Sequence, residues 1–482
     1  MTKRVCSRGP IVLLSAICLT SIASAQTSWW RAYGGPGYED GWSVQQTTDS
    51  GYIVTGNTSS FGAVLCDVYL IKTNASGDTL WTRTYGGTGA YGGSEVRQTA
   101  DGGYVVAGYS SLGAGTTDSD NVYLIKTDTS GDTLWTRTYG GTSDDVGNSV
   151  QQTADGGFIV AGYTFSFGVG TPVYSNVYLI KTNGQGDTVW TRTYGGTSND
   201  DGRSVQQTTD GGYIVAGYTT SFGAGNDDVY LIKTNAQGDT LWTRTYGGTS
   251  NDDGGSVQQT SDSGYIIAGY TTSFGTGNDD VYLIKTNASG DTVWTRTYGG
   301  SNKDVGYSVR QTTDGGYIIA GYTRSFGAGN GDVYLIKVNG QGDTVWTRTY
   351  GGPDDDCSLS ARQTADGGYI VTGYANSFGA GNSDLYLIKT DANGNVGIEE
   401  PLTRHPASPT RLLVQPNPFI SFARVPGHET ELFTLSDITG RQVAICRGDR
   451  IGKGLQPGIY FLSPVGLKTG KATTATFVKA AF

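Results

Sequence analysis

The sequence predicts an all-β protein, a seven-bladed β-propeller of four-stranded blades over residues 26–398 followed by a small C-terminal β-sandwich. Three observations carry this. The motif WTRTYGG occurs at Trp81, Trp135, Trp190, Trp242, Trp294 and Trp346, with a variant WRAYGG at Trp30, and the Trp spacings are 51, 54, 55, 52, 52 and 52 residues. Each unit holds four short runs rich in Val, Ile, Thr, Tyr and Trp, bounded by Gly, Asn and Asp, with no competing helical period. The 76 Gly among 482 residues lack a three-residue period and accompany 31 Tyr, 14 Phe and 9 Trp, a composition foreign to collagen and to disordered chains.

Taken in order, the chain opens with Lys3, Arg4 and Arg8, an apolar run from Ile11 to Ile22, and Ala23-Ser24-Ala25. This reads as a secretory signal over residues 1–25, cleaved between Ala25 and Gln26; its apolar run falls short of the ~20 residues that span a bilayer. The mature chain keeps Cys66, Cys357 and Cys446, which is no disulfide framework. At most one bridge can form, with Cys66 and Cys357 as the candidate pair, and one thiol is left over.

The unit from Trp190 to Leu241 contains VWTRTY, SVQQTT, GYIVAGYT and DVYLIKT in turn. Between the second and third runs stands Asp-Gly-Gly or Asp-Ser-Gly, at Asp49, Asp101, Asp155, Asp210, Asp262, Asp314 and Asp366, as a tight hairpin tolerant of positive φ requires. Seven such units of about 50 residues suit a ring that hides most strand edges. The coils of a β-solenoid are shorter and do not call for a Trp in each.

The stretch GDTLW at Gly77 to Trp81 resembles the Gly-x-x-x-Trp signature of quinoprotein-type propeller repeats. That resemblance implies that SVQQT is the innermost strand, GYIVAGYT the second, DVYLIKT the third and WTRTY the outermost. Ser28 to Tyr33 is then an orphan outer strand that closes the ring on the last blade, whose other strands fall near residues 358–363, 368–374 and 384–390. Strand alternation puts the longer loops, of the SFGAGNDD and GGTSNDDG types, together on one face, where binding sites usually sit.

Residues 26–400 carry 20 basic and 39 acidic side chains, a net of −19, which disfavours nucleic acid and anionic membrane as partners. Residues 401–482 carry 10 basic and 4 acidic. Both histidines, His405 and His428, follow the repeats, so the ring has no imidazole for a Ser-His-Asp triad, a Cys-His pair or a His-ligated metal. The glutamates of residues 26–400 are only Glu39, Glu95, Glu399 and Glu400, and an Asp repeated in every blade is a turn former before it is a catalyst. No catalytic residue is assigned. The loop pairs Asp144-Asp145, Asp200-Asp201 and Asp252-Asp253 are weak candidates for Ca²⁺, although their spacing completes no calcium loop; no other cofactor is indicated. The recurring Trp reads as a wedge between blades. The arginines two residues later, Arg83, Arg137, Arg192, Arg244, Arg296 and Arg348, are expected to stack on it or pair with carboxylates. Trp42, Tyr91, Phe165 and Tyr174 break the repeat and mark where a ligand site is expected.

After the ring comes a linker over residues 399–411 and a second unit over 412–482. Its motifs are PNPF at Pro416, Asn417, Pro418 and Phe419, a strand ending at Gly440-Arg441, a strand with Gly458, Ile459 and Tyr460, and a final TATFVK, with a hairpin turn at Asp437 to Gly440. This set closely resembles the type A C-terminal sorting domain of the type IX secretion system. The resemblance implies recognition by that machinery, passage across a bacterial outer membrane through the periplasm, and a secreted or cell-surface destination. The expected function is a non-enzymatic binding or structural module with a glycan or protein ligand and no transmembrane segment; the alternative is a carboxylate-based carbohydrate-active enzyme.

Overall fold

The computed structural model describes residues 28–62, 65–111, 119–397, 432–437, 441–447, 449–451, 458–464 and 475–479. The signal with its Ala25–Gln26 junction, the linker, the PNPF motif and Gly440 lie outside the described residues.

Seven antiparallel four-stranded sheets form the ring. In the fourth blade the strands are Asp200–Gln207, Tyr213–Thr219, Asp228–Thr234 and Thr240–Tyr246, running from the axis outward. The seventh blade is composite: Trp29–Tyr33 pairs with Asp384–Thr390 as its outermost strand, so the two ends of the repeat array are joined by a ladder. The second and third strands are buried over almost their whole length, and each pair of adjacent blades shares an apolar cluster such as Ile214, Leu231, Val257, Tyr265 and Ile284. Burial on both faces of a sheet explains why these strands read as continuous apolar runs instead of alternating.

The outer strand latches each blade to the next. Trp81 meets Tyr104 of the second blade edge to face at 5.8 Å, Arg83 stacks over the Trp81 ring at 5.5 Å and reaches Asp132 at 3.2 Å, and the Tyr85 hydroxyl donates to the Gly131 carbonyl at 2.6 Å. A Cβ on Gly131 would lie 2.8 Å from the Trp81 ring, so the turn needs glycine for its left-handed φ of 78° and for this close approach. The wedge and stacking roles expected of Trp and Arg are therefore both found. At the N-terminal strand the register differs from the WRAYGG reading. Trp29, with Arg31 stacked 5.6 Å over it and Tyr52 at 5.8 Å, occupies the repeat position. Trp30 instead packs on Phe378 and Tyr386. Counting back from Tyr33-Gly34-Gly35 gives this register, whereas aligning on the nearest Trp to the glycines does not.

Each Asp-Gly-Gly hairpin is an ionic anchor as well as a turn. Lys233, on the third strand and buried, donates to Asp210 at 2.9 Å and to the Thr234 carbonyl at 2.9 Å. Burial alone would raise the Asp210 pKa, but the Thr208 hydroxyl, Lys233 and the Gly212 amide together hold it down to about 2. The same Lys–Asp pair recurs in all seven blades.

The candidate Cys66–Cys357 bridge is not formed, and both are thiols. Cys357 is buried on the innermost strand of the seventh blade, while Cys66 stands on a loop of the first blade just before the third strand, Asp67–Thr73. Of the C-terminal β unit, the described residues form one antiparallel sheet of Leu432–Asp437, Gln442–Arg447, Gly458–Pro464 and Ala475–Lys479. Gly458, Ile459 and Tyr460 begin the third of these strands, and Arg441 precedes the second and is exposed. No helix among the described residues is long and apolar enough to cross a membrane.

Candidate functional site: the axial channel

The innermost strands, one per blade, surround the ring axis. Each pairs with its neighbour through a ladder that slips once, at a β-bulge lying between Gly41 and Ser43, Gly93 and Glu95, Gly147 and Ser149, Gly202 and Ser204, Gly254 and Ser256, Gly306 and Ser308, and Ser358 and Ser360. The bulge forces the facing second-strand residue to be glycine: a Cβ on Gly217 would lie 1.8 Å from the Asp201 carbonyl oxygen. A bulge re-aims the extra side chain, a device common beside active sites.

The seven bulged residues are Trp42, Ser94, Asn148, Arg203, Gly255, Tyr307 and Leu359. No two are alike, although the Ser that follows them is kept in six blades and the Gln closing the strand in all seven. All seven line a cavity of about 370 Å³ on the axis. Its other walls include Asp40, Glu95, Asp253, Tyr270, Cys357 and Tyr374. Trp42 and Tyr307 are 44% and 38% exposed, far more than aromatic rings filling a core. The starts of the inner strands bond to the ends of the second-to-third-strand loops, as the Asp145 amide does to the Asp120 carbonyl, so the cavity lies toward the long-loop face.

The electrostatics of this mouth are also unlike the rest of the ring. Arg203 sits 3.9 Å from Asp201 and 3.8 Å from Asp253 and stacks over Tyr218 at 5.4 Å. Burial raises the pKa of Asp253, with Arg203 opposing and the Asp201 and Asp227 charges adding to the rise. Asp201 and Asp40 are raised by burial too, against Arg203 and the Ser175 hydroxyl in the first case and Asn57 and Trp42 in the second. One Asp253 oxygen and the Ser43 hydroxyl are buried with no hydrogen-bond partner. A mouth with exposed rings, partly desolvated carboxylates, an amide and a guanidinium has the chemistry for stacking on a ligand and holding its hydroxyl or amino groups.

The aspartate pairs proposed for Ca²⁺ divide between two jobs. Asp145, Asp200 and Asp252 are fully buried and tie loops together: Asp200 accepts from the Gly196 amide at 2.8 Å, the Ser221 hydroxyl at 2.7 Å and the Thr219 hydroxyl. Asp145 and Asp252 accept from Gly141 and Ser166, and from Gly248 and Ser273. Asp144 is exposed on its loop, and Asp201 and Asp253 join Arg203 at the axis. Among the described residues no three of His, Cys, Asp or Glu gather as metal ligands. Of the four symmetry-breaking aromatics, Trp42 lines the channel. Tyr91 packs on Tyr123, Phe165 on Tyr163, and Tyr174 lies on a loop, partly exposed. The other six bulged residues carry no motif of their own, and a column-by-column comparison of the repeats is the signal that reveals them.

No family model matches the chain. It is similar to the regulatory protein FlaEY of Caulobacter vibrioides, 26% identical over 331 residues, an overlap of 60% of this chain and 33% of that protein. The chain thus spans about a third of the length of that relative. Among solved structures it is similar to PorZ, a surface component of the type IX secretion system of Porphyromonas gingivalis, at 12% identity and a TM-score of 0.41, over 94% of this chain and 61% of that one. The Pan2 WD40 domain of Neurospora crassa gives 10% identity and a TM-score of 0.43, over 77% and 97%. Likenesses this distant bring no function with them.

Proposed function

We propose that this protein is a secreted or cell-surface binding module, exported through type IX secretion by its C-terminal unit, that takes a glycan at the long-loop mouth of its axial channel. The observation that carries the binding role is the bulge column: seven different residues at one position, between a residue that is Gly in six blades and one that is Ser in six. Repetition serves folding, and a ligand that occupies the axis once needs a site that does not repeat. Trp42 and Tyr307 would stack on sugar faces while Asp40, Asp253, Asn148 and Ser94 hold hydroxyls. The resemblance of residues 412–482 to the type A sorting domain supports the route of export.

A glycan array on the full chain, with and without Ca²⁺, tests the binding role. We expect a saturable hit that W42A and Y307A each weaken at least tenfold. Binding unchanged in both variants would move the site elsewhere. Cleavage of the bound glycan, abolished in D253N, would replace the non-enzymatic reading with a carbohydrate-active enzyme. Export is tested by deleting residues 401–482, which should hold the ring in the periplasm; its continued appearance outside the cell would refute the sorting role.

A further inference from the structure

At the opposite end of the axis, toward the Asp-Gly-Gly hairpins, a second cavity of about 380 Å³ abuts the first at Ser204 and Arg310. We propose that this end is an oxyanion site, in which Arg97, Arg310 and Arg362 bind a phosphate, sulfate or carboxylate group carried on a small molecule.

The argument starts from what those arginines replace. At the same strand position four blades carry Gln45, Gln151, Gln206 and Gln258. Each of these glutamines accepts the backbone amide of the next inner strand, from Gln98 at 2.8 Å, Gln207 at 2.7 Å, Gln259 at 2.6 Å and Gln311 at 2.7 Å. Arginine has no acceptor, so blades two, six and seven each forgo that inter-blade bond. A structural bond surrendered three times, always for the same cation and always facing one cavity, indicates a different use for the position.

The charges point the same way. The three guanidiniums face one carboxylate, Glu95, which stands where the other six blades carry Ser. Glu95 already accepts from the Ser149 hydroxyl at 2.6 Å and the Val150 amide at 2.9 Å, pairs with Arg97, and lies 3.7 Å from Arg362. One negative charge against three positive ones leaves a surplus of about two in a low-dielectric channel, a costly arrangement without a further anion. The guanidiniums are held from behind: Arg310 donates to the Val309 carbonyl at 2.6 Å and the Ser256 hydroxyl at 3.0 Å, and Arg362 to the Val44 carbonyl at 3.0 Å. One terminal nitrogen of Arg362 is buried with no hydrogen-bond partner. Burial, together with the neighbouring Arg97 charge, lowers the Arg310 pKa to about 10, with Glu95 opposing. Planar forks fixed in this way suit bidentate contact with oxyanions.

The test is calorimetric titration of the full chain with inorganic phosphate, glucose 6-phosphate and glucuronate, at an ionic strength held constant with sodium chloride. We expect saturable binding of at least one probe. Tighter binding of an organic probe than of inorganic phosphate assigns the group to a small molecule, and the reverse order assigns a free ion and overturns that part of the proposal. The double variant R310Q/R362Q should weaken binding at least tenfold, and E95S should strengthen it several-fold by removing the competing carboxylate. Gln and Ser already occupy these positions in other blades, so both variants are expected to fold, which a thermal melt checks. No binding of any probe at about 10 mM, where even a millimolar Kd would register, would overturn the proposal, as would a double variant that binds like wild type or an E95S that binds more weakly. These residues are separate from Trp42 and Tyr307, so this site can fail while the glycan mouth stands, and the reverse.

Discussion

At the rim of the ring the same Trp, Arg and Tyr recur blade after blade, packed onto the glycine turn of the next blade. At the axis the bulged position holds Trp42, Ser94, Asn148, Arg203, Gly255, Tyr307 and Leu359. Both regions belong to the same seven repeats and are equally ordered by their ladders, so the difference is one of demand. A rim contact is made between one blade and the next and is the same problem solved repeatedly. The axis is met by all seven blades at once, and whatever lies there sees each blade from a different side. Stability should therefore depend on the rim and be nearly indifferent to the bulge, with ligand binding the other way about.

The largest expected effect is at the rim. Trp242 packs against Tyr265 at 5.9 Å and against the turn at Gly290, beneath the stacked Arg244. W242A should lower stability by about 3 kcal/mol, the low end for a Trp because the ring is only partly buried, read from denaturant unfolding. Glycan binding at the axis should not change. If W242A weakened binding as much as W42A does, the separation of rim and axis would fail.

Next come the hairpin anchors, where acidity separates two sets of aspartates. Asp49, Asp155, Asp210, Asp262 and Asp314 are held at about 2, because hydroxyl, lysine and amide donors outweigh a desolvation that by itself would raise them. A carboxylate with a depressed folded-state pKa contributes stability that is present above its ordinary value near 4 and lost as pH falls toward about 2. Asp40, Asp201 and Asp253 at the axis are shifted upward by burial, so their charge opposes folding above the ordinary range and this opposition is relieved on acidification. The two sets pull in opposite directions, so the hairpin contribution is isolated by removing one of its carboxylates at a time. D210N should cost about 1 kcal/mol at pH 7, because Lys233 keeps only the Thr234 carbonyl as a full partner. Its stability should fall less steeply with acid than wild type. A D210N profile as steep as wild type would assign the acid sensitivity elsewhere.

How much of this was legible in the sequence follows the same division. The repeated framework is legible: the four strands, the hairpin Asp and the Trp wedge, together with the closure of the ring by an orphan strand before the first full blade, whereas the recurring Lys–Asp anchor is not, because its partners stand 23 to 26 residues apart. Trp29 was misplaced because two adjacent Trp stand in that strand and only the tyrosine two residues after Arg31 settles which one is in register. The bulged residues as a set are hidden from a motif pattern, which rests on repetition, because they are defined by its absence. Trp42 was noticed as a bulky exception, while Ser94, Asn148 and Gly255 are unremarkable singly and informative only as members of a column. The job of Asp200 could not be inferred either, since a buried loop tie and a calcium ligand ask for the same residue type in the same kind of loop.

A smaller effect is expected where the repeat departs from its own best solution. Five hairpins place glycine at the left-handed position, for example Gly211 at φ 82°, but Ser50 and Ser263 occupy it at 67° and 66°. A side chain there costs roughly 1–2 kcal/mol in backbone sterics, partly offset by the greater freedom that glycine has when unfolded. S263G should raise stability by up to about 1 kcal/mol, visible as a higher midpoint of unfolding. An unchanged or lower midpoint would mean that Ser263 adapts to this geometry without strain.

The smallest stability effect is also the sharpest test of the comparison. Tyr307→Ser installs at the sixth bulge the residue already used at the second, Ser94, and N148G installs the one used at the fifth, Gly255. If the bulge column is free of structural duty apart from the bond that Asn148 donates to the Gly202 carbonyl at 2.8 Å, Y307S should change stability by no more than about 0.5 kcal/mol, the range of ordinary surface substitutions, and N148G by about 1 kcal/mol, the worth of that bond. The backbone kink is kept by the ladder and by the second-strand glycines opposite, Gly321 and Gly162, whose own Cβ positions fall 1.8 and 1.7 Å from a carbonyl oxygen. Binding should then drop in Y307S while the melt stays put. A loss of 2 kcal/mol or more in Y307S would show that the ring at this position packs the axis, and the irregular column would have to be read as a plug of seven interlocking side chains instead of a site.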